Sequence, residues 1–275
     1  IIYLGTQAMK TIFGEECPKS LAAAKSLGTV YLEETPVLGS YSPSAYNMQQ
    51  YDLVTEYVNL FTKAIKIVKG ELQDVPFNYE VVESADTGRL PVSLDGPIFL
   101  DVEVEEVESD PNRCTYRHPG ARLLCTGVSW RETTGEYVNI VLVPRASTAE
   151  YLTRLCSGNG VYAHNTKYDL GVLKHHCSFD AYSVAGDTGD TYLDFYSLNI
   201  GGRGLGLGAL ASKHLDAPDW KSEVWKHMDA AKKTRSPGWS SFGDIPKDLR
   251  YRYNARDGFW TCRLYHEVLK HHPLF

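Results

Sequence analysis

The chain lacks several features that would place it in common protein classes. No apolar run approaches the roughly 20 residues that a membrane-spanning helix requires, and no charged leader precedes an apolar stretch as in a secretory signal. The six cysteines include no Cys-x-x-Cys pair, which favours reduced, mostly buried thiols in a cytoplasmic protein. Because the chain begins at Ile1 in an apolar, strand-like segment, we expect it to be a piece of a longer polypeptide.

The chain also has no excess of positive charge: 28 Lys and Arg stand against 34 Asp and Glu, for a net charge of −6. That balance argues against a surface that binds nucleic acid simply by neutralising phosphates. The charge is unevenly placed, with six acids and no base in residues 101–110 and nine Lys or Arg against four Asp or Glu in residues 221–256. Such a distribution suits a protein that holds cations beside a polyanion, and it equally suits a solvated acidic strand end.

Glycine and proline divide the 275 residues into three parts. Residues 1–70 predict a small N-terminal α/β segment, and residues 71–96 a connector. Residues 97–275 open with three strand candidates, IFLDVEVEEVE, RLLCTGVSW and EYVNIVLVP, and continue with alternating helices and strands. This order predicts an α/β fold with a mixed sheet flanked by helices. Residues 219–246, rich in Trp, Lys, Ser and Gly, predict a loop-bearing insertion.

Four carboxylates are the strongest chemical signal. Asp101 and Glu103 lie two apart in the apolar run IFLDVEVE, so on a strand both side chains point to the same face. The other two carboxylates, Asp169 and Asp257, each lie four residues after a polar residue. In a helix, this spacing puts both side chains of a pair on the same face. A carboxylate on a buried sheet face needs a partner cation, and Mg²⁺ prefers oxygen ligands. The two pairs are Asn165/Asp169 and Tyr253/Asp257.

Phosphodiester hydrolysis is the reaction that such a set suits best. Two divalent cations roughly 3.5–4 Å apart can activate the attacking water and stabilise the leaving oxygen. We expect Asp101, in the middle of the sheet, to bridge both ions, with the other three carboxylates completing the coordination. Tyr253 would orient the attacking water, and Asn165 would hydrogen-bond the substrate backbone. Each pattern alone has a plain explanation as well, since D-x-E on a strand is usually a solvated face and N-x-x-x-D arises by chance.

Taken together, the three segments resemble the motifs of a known family. DVE on a strand, HNTKYDLGVL in the middle and YNARD on a late helix are similar to motifs of the DEDD 3′–5′ exonucleases of ribonuclease-H-like fold. The likeness is to the subclass with Tyr in its third motif, and above all to the proofreading domain of family A DNA polymerases of bacterial and phage type. The segment DTYLDFYSLNIGGRGLGLGALASKHLD is similar to the one after the family's second motif. The resemblance covers residues 95–272.

This resemblance implies a metal-dependent 3′–5′ exodeoxyribonuclease that proofreads for a DNA polymerase and releases nucleoside monophosphates. Tyr253 would position water and Asn165 would contact the 3′ strand. The implied partners are a single-stranded or frayed 3′ end of DNA and a polymerase domain in the same polypeptide, with no membrane, in the cytoplasm of the cell or of a phage host. Val104 stands where the family often has Thr, which predicts a weaker contact with the terminal nucleotide. Two divalent cations, Mg²⁺ or Mn²⁺, would be held by Asp101, Glu103, Asp169 and Asp257.

Two alternative functions stay open. The three motifs do not separate DNA from RNA, so a ribonuclease-D-like 3′–5′ exoribonuclease fits them equally. A catalytically silent nucleic-acid-binding scaffold would keep the fold without turnover. Substitution of Asp101 and Glu103 separates the silent scaffold from either enzyme.

Residues 1–70 carry a resemblance of their own. LGTQAMKTIFG, GTVYLEETPVLGSYSPSAY and a closing helix are similar to the C-terminal half of a family-4-type uracil-DNA glycosylase, a domain found fused ahead of phage polymerases. Where that family has His-Pro-Ser in its active loop, this chain has Tyr41-Ser42-Pro43-Ser44, so that Ser42 replaces the His. The resemblance implies an inactive half-domain that supports the fold or binds DNA, and an unrelated small α/β unit is the alternative.

Three further features have two interpretations each. In the basic stretch 221–256, aromatic residues alternate with basic ones. This pattern fits a groove that binds a single nucleic-acid strand and stacks its bases on aromatic rings, and it also fits an insertion whose tryptophans pack locally. The run NIGGRGLGLG lacks the Lys-Ser/Thr of a phosphate-binding loop and predicts a turn. His164, beside Asn165, predicts a packed or solvated histidine rather than a group that assists at the site.

Overall fold

The computed structural model describes ten stretches of the chain, which form two compact units. The first unit comprises the described parts of Ile1–Pro76 and Gly208–Lys221, and the second those of Phe77–Leu207 and Ser222–Phe275. The predicted boundaries at residues 70 and 96 stay predictions. No described helix is long and apolar enough to cross a membrane. The described residues are 1–14, 30–32, 35–40, 52–70, 76–83, 89–105, 115–117, 120–198, 204–234 and 241–272.

Strands and helices alternate along most of the described chain. The described strands are β1 (Ile2–Leu4), β2 (Val30–Leu32), β3 (Thr35–Ser40), β4 (Glu80–Val82), β5 (Ile98–Glu105), β6 (Arg122–Arg131), β7 (Tyr137–Leu142), β8 (Gly160–Ala163) and β9 (Asp187–Asp190). The described helices are α1 (Thr6–Phe13), α2 (Asp52–Val68), α3 (Thr148–Cys156), α4 (Thr166–Cys177), α5 (Ala181–Val184), α6 (Thr191–Leu198), α7 (Leu207–Leu215), α8 (Ser222–Thr234) and α9 (Lys247–Leu264). Short 3₁₀ turns occur at Thr115–Arg117 and Phe242–Asp244, and a π turn, Tyr265–Leu269, extends α9.

The first unit is a small α/β arrangement. Its sheet has the order β1-β3-β2, with β1 parallel and β2 antiparallel to β3. A small core of Tyr3, Met9 and Val37 joins α1 to this sheet, and Lys66 Nζ on α2 lies 2.8 Å from Asp216 Oδ2. The segment Tyr41–Ser44, which the glycosylase resemblance singled out, lies outside the described residues.

The second unit is built on a six-stranded mixed sheet. The strand order is β4-β7-β6-β5-β8-β9. Strand β6 pairs antiparallel with both β5 and β7. The other pairs are parallel: β8 with β5, β9 with β8, and β4 with β7. Helices α4 and α5 connect the parallel strands β8 and β9, whereas the chain passes from β4 to its parallel partner β7 through β5 and β6. The predicted α/β class, with a mixed sheet flanked by helices, is confirmed.

The central strand β5 separates an apolar face from a face that carries carboxylates. Because side chains alternate along a strand, Ile98, Leu100, Val102 and Val104 all enter one core, which α3 and α4 cover with residues such as Leu152 and Leu173. The intervening residues Phe99, Asp101 and Glu103 therefore face the opposite side. Helix α9 packs on that side against β5, β6 and β7.

The sequence-based expectation of a loop-bearing insertion over residues 219–246 is wrong in part. Residues Ser222–Thr234 form α8, a helix of 13 residues. Its buried residues include Val224 and Met228, four positions apart and so on one face. Arg252 Nη2 on α9 lies 2.7 Å from Glu223 Oε2 on α8. So short an apolar stripe among charged residues is hard to distinguish from a loop in the sequence.

Candidate active site

Strand β5 places the first two carboxylates side by side. Asp101 is partly buried, and Glu103 is buried at 5% exposure. One carboxylate oxygen from each lies within 4.8 Å of the other and of an oxygen of Asp257 on α9. The three acidic groups thus meet at one point, although they come from positions as far apart in sequence as 101 and 257.

Helix α9 reaches this point because two glycines on adjoining elements leave room for it. A Cβ at Gly127 on β6 would lie 2.8 Å from Asn254 Oδ1, and one at Gly258 on α9 would lie 2.7 Å from Ser129 Oγ on β6. Both distances are shorter than any ordinary contact. Close packing of α9 on β6 therefore depends on the absence of side chains at these positions.

Tyr253 and Asp257 lie one helical turn apart on α9, as their i,i+4 spacing predicts. Both side chains are buried, at 6% exposure each. The phenol of Tyr253 is hydrogen-bonded to Asp257. Burial, followed by the charges of Asp257, Glu103 and Asp101, raises the pKa of Tyr253 well above its usual value of 10.0. The phenol is therefore neutral at physiological pH.

Asp169, in the first turn of α4, is buried beside the other carboxylates. It accepts a hydrogen bond from the main-chain N–H of Val102 on β5, beyond the point where the pairing of β5 with β8 ends at Phe99 and Tyr162. Its pKa is raised well above the usual 3.8, first by desolvation and then by the nearby charge of Asp101. Among the described residues, the set whose oxygens all lie within 4.8 Å of one another is Asp101, Glu103 and Asp257, without Asp169.

Asn165 precedes α4 rather than lying within it. Its backbone is left-handed, with φ 92° and ψ 52°, and its side chain is exposed. The helical spacing that predicted a shared face with Asp169 therefore does not apply, because only residues in helical conformation follow it. The substrate contact expected of Asn165 stays a prediction.

Two polar residues of this region were missed in the sequence. Asn254, fully buried on α9, donates a hydrogen bond of 2.7 Å from Nδ2 to Asp101 Oδ2. Asp190, at the end of β9, accepts hydrogen bonds from the main-chain N–H groups of Asn165 at 3.1 Å and Thr166 at 2.9 Å. Asp190 lies in the DTYL segment named above, but its contact partner is 25 residues away in sequence, so no local pattern reveals it.

Two other sequence-based predictions concern the surroundings of the site. Val104 belongs to the apolar core on the face opposite Asp101, and it is 4% exposed. His164 is held through both ring nitrogens, 3.0 Å from Thr191 Oγ1 and 2.9 Å from the Leu205 carbonyl oxygen. This agrees with the interpretation of His164 as a packed histidine.

The aromatic residues of the basic stretch are mostly packed. Trp220, Tyr251 and Tyr253 are buried, whereas Trp225 is 48% exposed. The rings of Phe242 and Tyr253 lie 5.7 Å apart, and Trp239 lies outside the described residues. Local packing is therefore the better interpretation for the described aromatics, with Trp225 as the exception.

Comparisons with known proteins give structural likeness only. No family model matches the chain, and no curated protein matches it. Among solved structures, NrnC of Brucella melitensis with bound Mg²⁺ is 15% identical, with 71% of this chain and 81% of that chain covered and a TM-score of 0.45. The EXD2 exonuclease domain, soaked in Mg and GMP, is 17% identical, with 63% and 75% covered and a TM-score of 0.23. Likeness at TM-scores this low carries no information about function.

Proposed function

We propose that the second unit is a metal-dependent 3′–5′ exonuclease, which hydrolyses the 3′-terminal phosphodiester and releases a nucleoside monophosphate. The observation that carries the proposal is the meeting of Asp101, Glu103 and Asp257 within 4.8 Å on one face of the sheet. The buried Asp169 and Tyr253 beside them support it. Acidic groups brought together at low exposure repel one another, so they cost stability unless a cation binds there.

The donor set fits hard divalent cations, of which we propose two, Mg²⁺ or Mn²⁺. Each of the four proposed ligands, which are all Asp or Glu, offers carboxylate oxygens, and these are the ligands that the ions prefer. When bound, such cations supply a nucleophilic water at neutral pH and offset the charge that develops on the phosphoryl oxygens. The residues that would hold them are Asp101, Glu103, Asp169 and Asp257.

The remaining groups of the site position the reactants. We propose that Tyr253, buried beside the carboxylates, orients a water molecule through a hydrogen bond of its phenol. Its hydrogen bond to Asp257 fixes the direction of the phenol. Asn165 is exposed at the corner between β8 and α4, and we propose that it contacts the 3′ strand.

The biological setting is a further part of the proposal. The motifs of the second unit resemble those of polymerase proofreading domains, so we propose a single-stranded or frayed DNA 3′ end as substrate and a polymerase domain as partner in the same polypeptide. For the first unit we propose a supporting role as a degenerate glycosylase half-domain. A ribonuclease-D-like activity would use the same residues on RNA.

Degradation of end-labelled oligonucleotides tests the proposal. A 5′-labelled single strand of DNA and one of RNA are incubated with the chain and Mg²⁺ or Mn²⁺, and with a chelator instead of metal. We expect successive shortening from the 3′ end that requires metal, with DNA degraded faster than RNA. Preference for RNA would favour the ribonuclease-D-like alternative.

A double variant identifies the site responsible. D101A/E103A is expected to lose the activity, since two of the proposed ligands are absent. The matched control is E105A on the same strand, because Glu105 is paired with Arg122 in a partly exposed ion pair outside the carboxylate set. Retained degradation by the double variant would refute the enzyme and leave the silent scaffold.

A further inference from the structure

A buried asparagine on α9 donates a hydrogen bond to one carboxylate of the candidate site. Asn254 is 0% exposed, and its Nδ2 donates to Asp101 Oδ2 at 2.7 Å. Its Oδ1 has no hydrogen-bond partner among the described residues. The amide therefore makes one strong contact, and that contact is with a carboxylate of the candidate site.

Helix formation and packing do not explain this residue. Asn is a poor helix former, and a buried amide oxygen without a hydrogen bond costs roughly 1–3 kcal/mol. An alanine or leucine at this position would avoid both penalties. The compensation must therefore come from the bond to Asp101, which is a charge-assisted hydrogen bond and one of the stronger kinds.

The neighbouring strand makes room for this contact. Gly127 on β6 pairs with Asp101 on β5 in the antiparallel register. A Cβ at Gly127 would lie 2.8 Å from Asn254 Oδ1 and 2.9 Å from the Asn254 main-chain oxygen. Asn254 can reach Asp101 only because the residue opposite Asp101 has no side chain.

The direction of the amide follows from the charge of Asp101. With Nδ2 toward Asp101, a donor meets a carboxylate oxygen; with the amide reversed, Oδ1 would meet that oxygen and repel it. One carboxylate oxygen each of Glu103 and Asp257 lies within 4.8 Å of an Asp101 oxygen, so their negative charges repel that of Asp101. A donor behind Asp101 offsets part of this repulsion and restricts the rotation of the carboxylate.

We propose that Asn254 is a positioning residue for divalent cation binding, which acts by orienting Asp101. The assignment rests on the proposed function, in which Asp101 is one of the residues that would hold the cations. The Tyr-x-x-x-Asp motif itself leaves the position after Tyr253 open, so this role belongs to the particular residue of this chain. Removal of a hydrogen bond to a metal ligand typically lowers metal affinity or activity by about 10- to 100-fold.

Mn²⁺ binding to the full chain, without nucleic acid, tests the assignment. Binding is measured by titration calorimetry and by the loss of the free Mn²⁺ paramagnetic resonance signal. We expect N254A and N254L, which both remove the donor, to raise the Kd by about 10- to 100-fold. The Mn²⁺ concentration for half-maximal degradation should rise in parallel, while the rate at saturating Mn²⁺ changes by only a few-fold.

A second buried asparagine is the matched control. Asn139 is 5% exposed and bonds to Ser129 Oγ and the Asn78 carbonyl oxygen on the same sheet. We expect N139A to lower the stability of the fold and to leave the Mn²⁺ Kd unchanged. If N254A does not fold because of the cavity it leaves, N254L carries the same test, because its branched side chain fills that space without a hydrogen-bond donor.

The possible outcomes separate the two proposals. Wild-type binding and degradation together with an unchanged Kd in folded N254A or N254L would overturn the role of Asn254 and leave the exonuclease proposal standing. A wild-type chain that neither binds Mn²⁺ nor degrades oligonucleotides would overturn both.

Discussion

Gly127 lies directly opposite Asp101 in the pairing of β6 with β5. The missing side chain on one strand creates the space in which helix α9 supports the carboxylate on the other. A strand interior usually disfavours glycine, so its presence here marks a close approach of backbone rather than a weakness of the sheet. This relationship leads to the first prediction.

G127A is expected to destabilise the fold by about 1–3 kcal/mol, the typical cost of adding a methyl group where the core has no room. The new Cβ would meet Asn254 Oδ1 at 2.8 Å, so α9 must move. Urea denaturation followed by circular dichroism measures the effect. The matched control is G206A, where a Cβ would meet no atom of the described residues within 4 Å. Equal stability of the two variants would show that α9 adjusts without cost.

Y253F tests the water-positioning role of the phenol. Loss of the hydroxyl should reduce the rate of degradation by roughly 10- to 100-fold, because misplacement of a reactant by about 1 Å has effects of this size. Because the phenol also hydrogen-bonds to the proposed ligand Asp257, Mn²⁺ affinity should fall as well, and the rates are therefore compared at saturating Mn²⁺. Single-turnover degradation and calorimetry measure the two quantities. Y251F is the control on the same helix, since Tyr251 packs with Cys125 and Ala255; a wild-type rate in Y253F would contradict the role.

Glu132 predicts a pH-dependent contribution to stability. Its carboxylate accepts hydrogen bonds from Trp130 Nε1 at 2.9 Å and from the main-chain N–H groups of Ser93 and Val92, at 2.8 and 3.2 Å. Burial works to raise the pKa of Glu132, but these hydrogen bonds outweigh it and hold the pKa below the usual 4.5. A carboxyl whose folded-state pKa is depressed stabilises the fold above its unfolded-state pKa. That contribution is lost as the pH falls through the folded-state value.

E132Q is therefore expected to lower the free energy of unfolding at pH 7 by about 1–3 kcal/mol, because an amide donor would face the three N–H donors. The difference from wild type should shrink as the pH is lowered from about 5 to 3. Denaturation curves across this range measure it. E136Q, at an exposed ion pair with Arg89, should differ little from wild type at any pH. A difference in unfolding free energy between E132Q and wild type that stays constant with pH would contradict this explanation.

D190A tests the anchor of the corner between β8 and α4. The Asp190 carboxylate accepts from the N–H groups of Asn165, Thr166 and Tyr192, which resembles helix capping, and the loss of a cap costs about 0.5–2 kcal/mol. We expect lower stability and faster amide exchange at Asn165 and Thr166. Hydrogen exchange read by mass spectrometry or NMR measures this. D187A, on the same strand with an exposed side chain, should leave exchange there unchanged.

Much of the fold and of the candidate site follows from local patterns in the sequence. The alternation in IFLDVEVE predicts which side chains of β5 enter the core and which face α9, because a strand has a period of two. Tyr253 and Asp257 lie on one face of α9 as their spacing predicts, since both are in regular helix. The helix α8 was not predicted, because Val224 and Met228 form too short an apolar stripe among charged residues.

The pair Asn165 and Asp169 shows where local patterns fail. The sequence matches a helical spacing, but Asn165 has a left-handed backbone and precedes the helix. Its conformation is held by Asp190, which no rule of spacing connects to it. Contacts between residues far apart in sequence depend on how strands are ordered, and many orders are compatible with the same local signals.

The sequence by itself determined the class of fold, the candidate carboxylates and the faces on which Asp101, Glu103 and Asp257 lie, because these depend on periodicity within single elements. Only the tertiary structure decided that the three meet within 4.8 Å, that Asp169 is buried beside β5, and that Asn254 bonds to Asp101 across the space left by Gly127. Those relationships depend on the packing of α9 and α4 against the sheet, and packing joins residues that no local pattern relates.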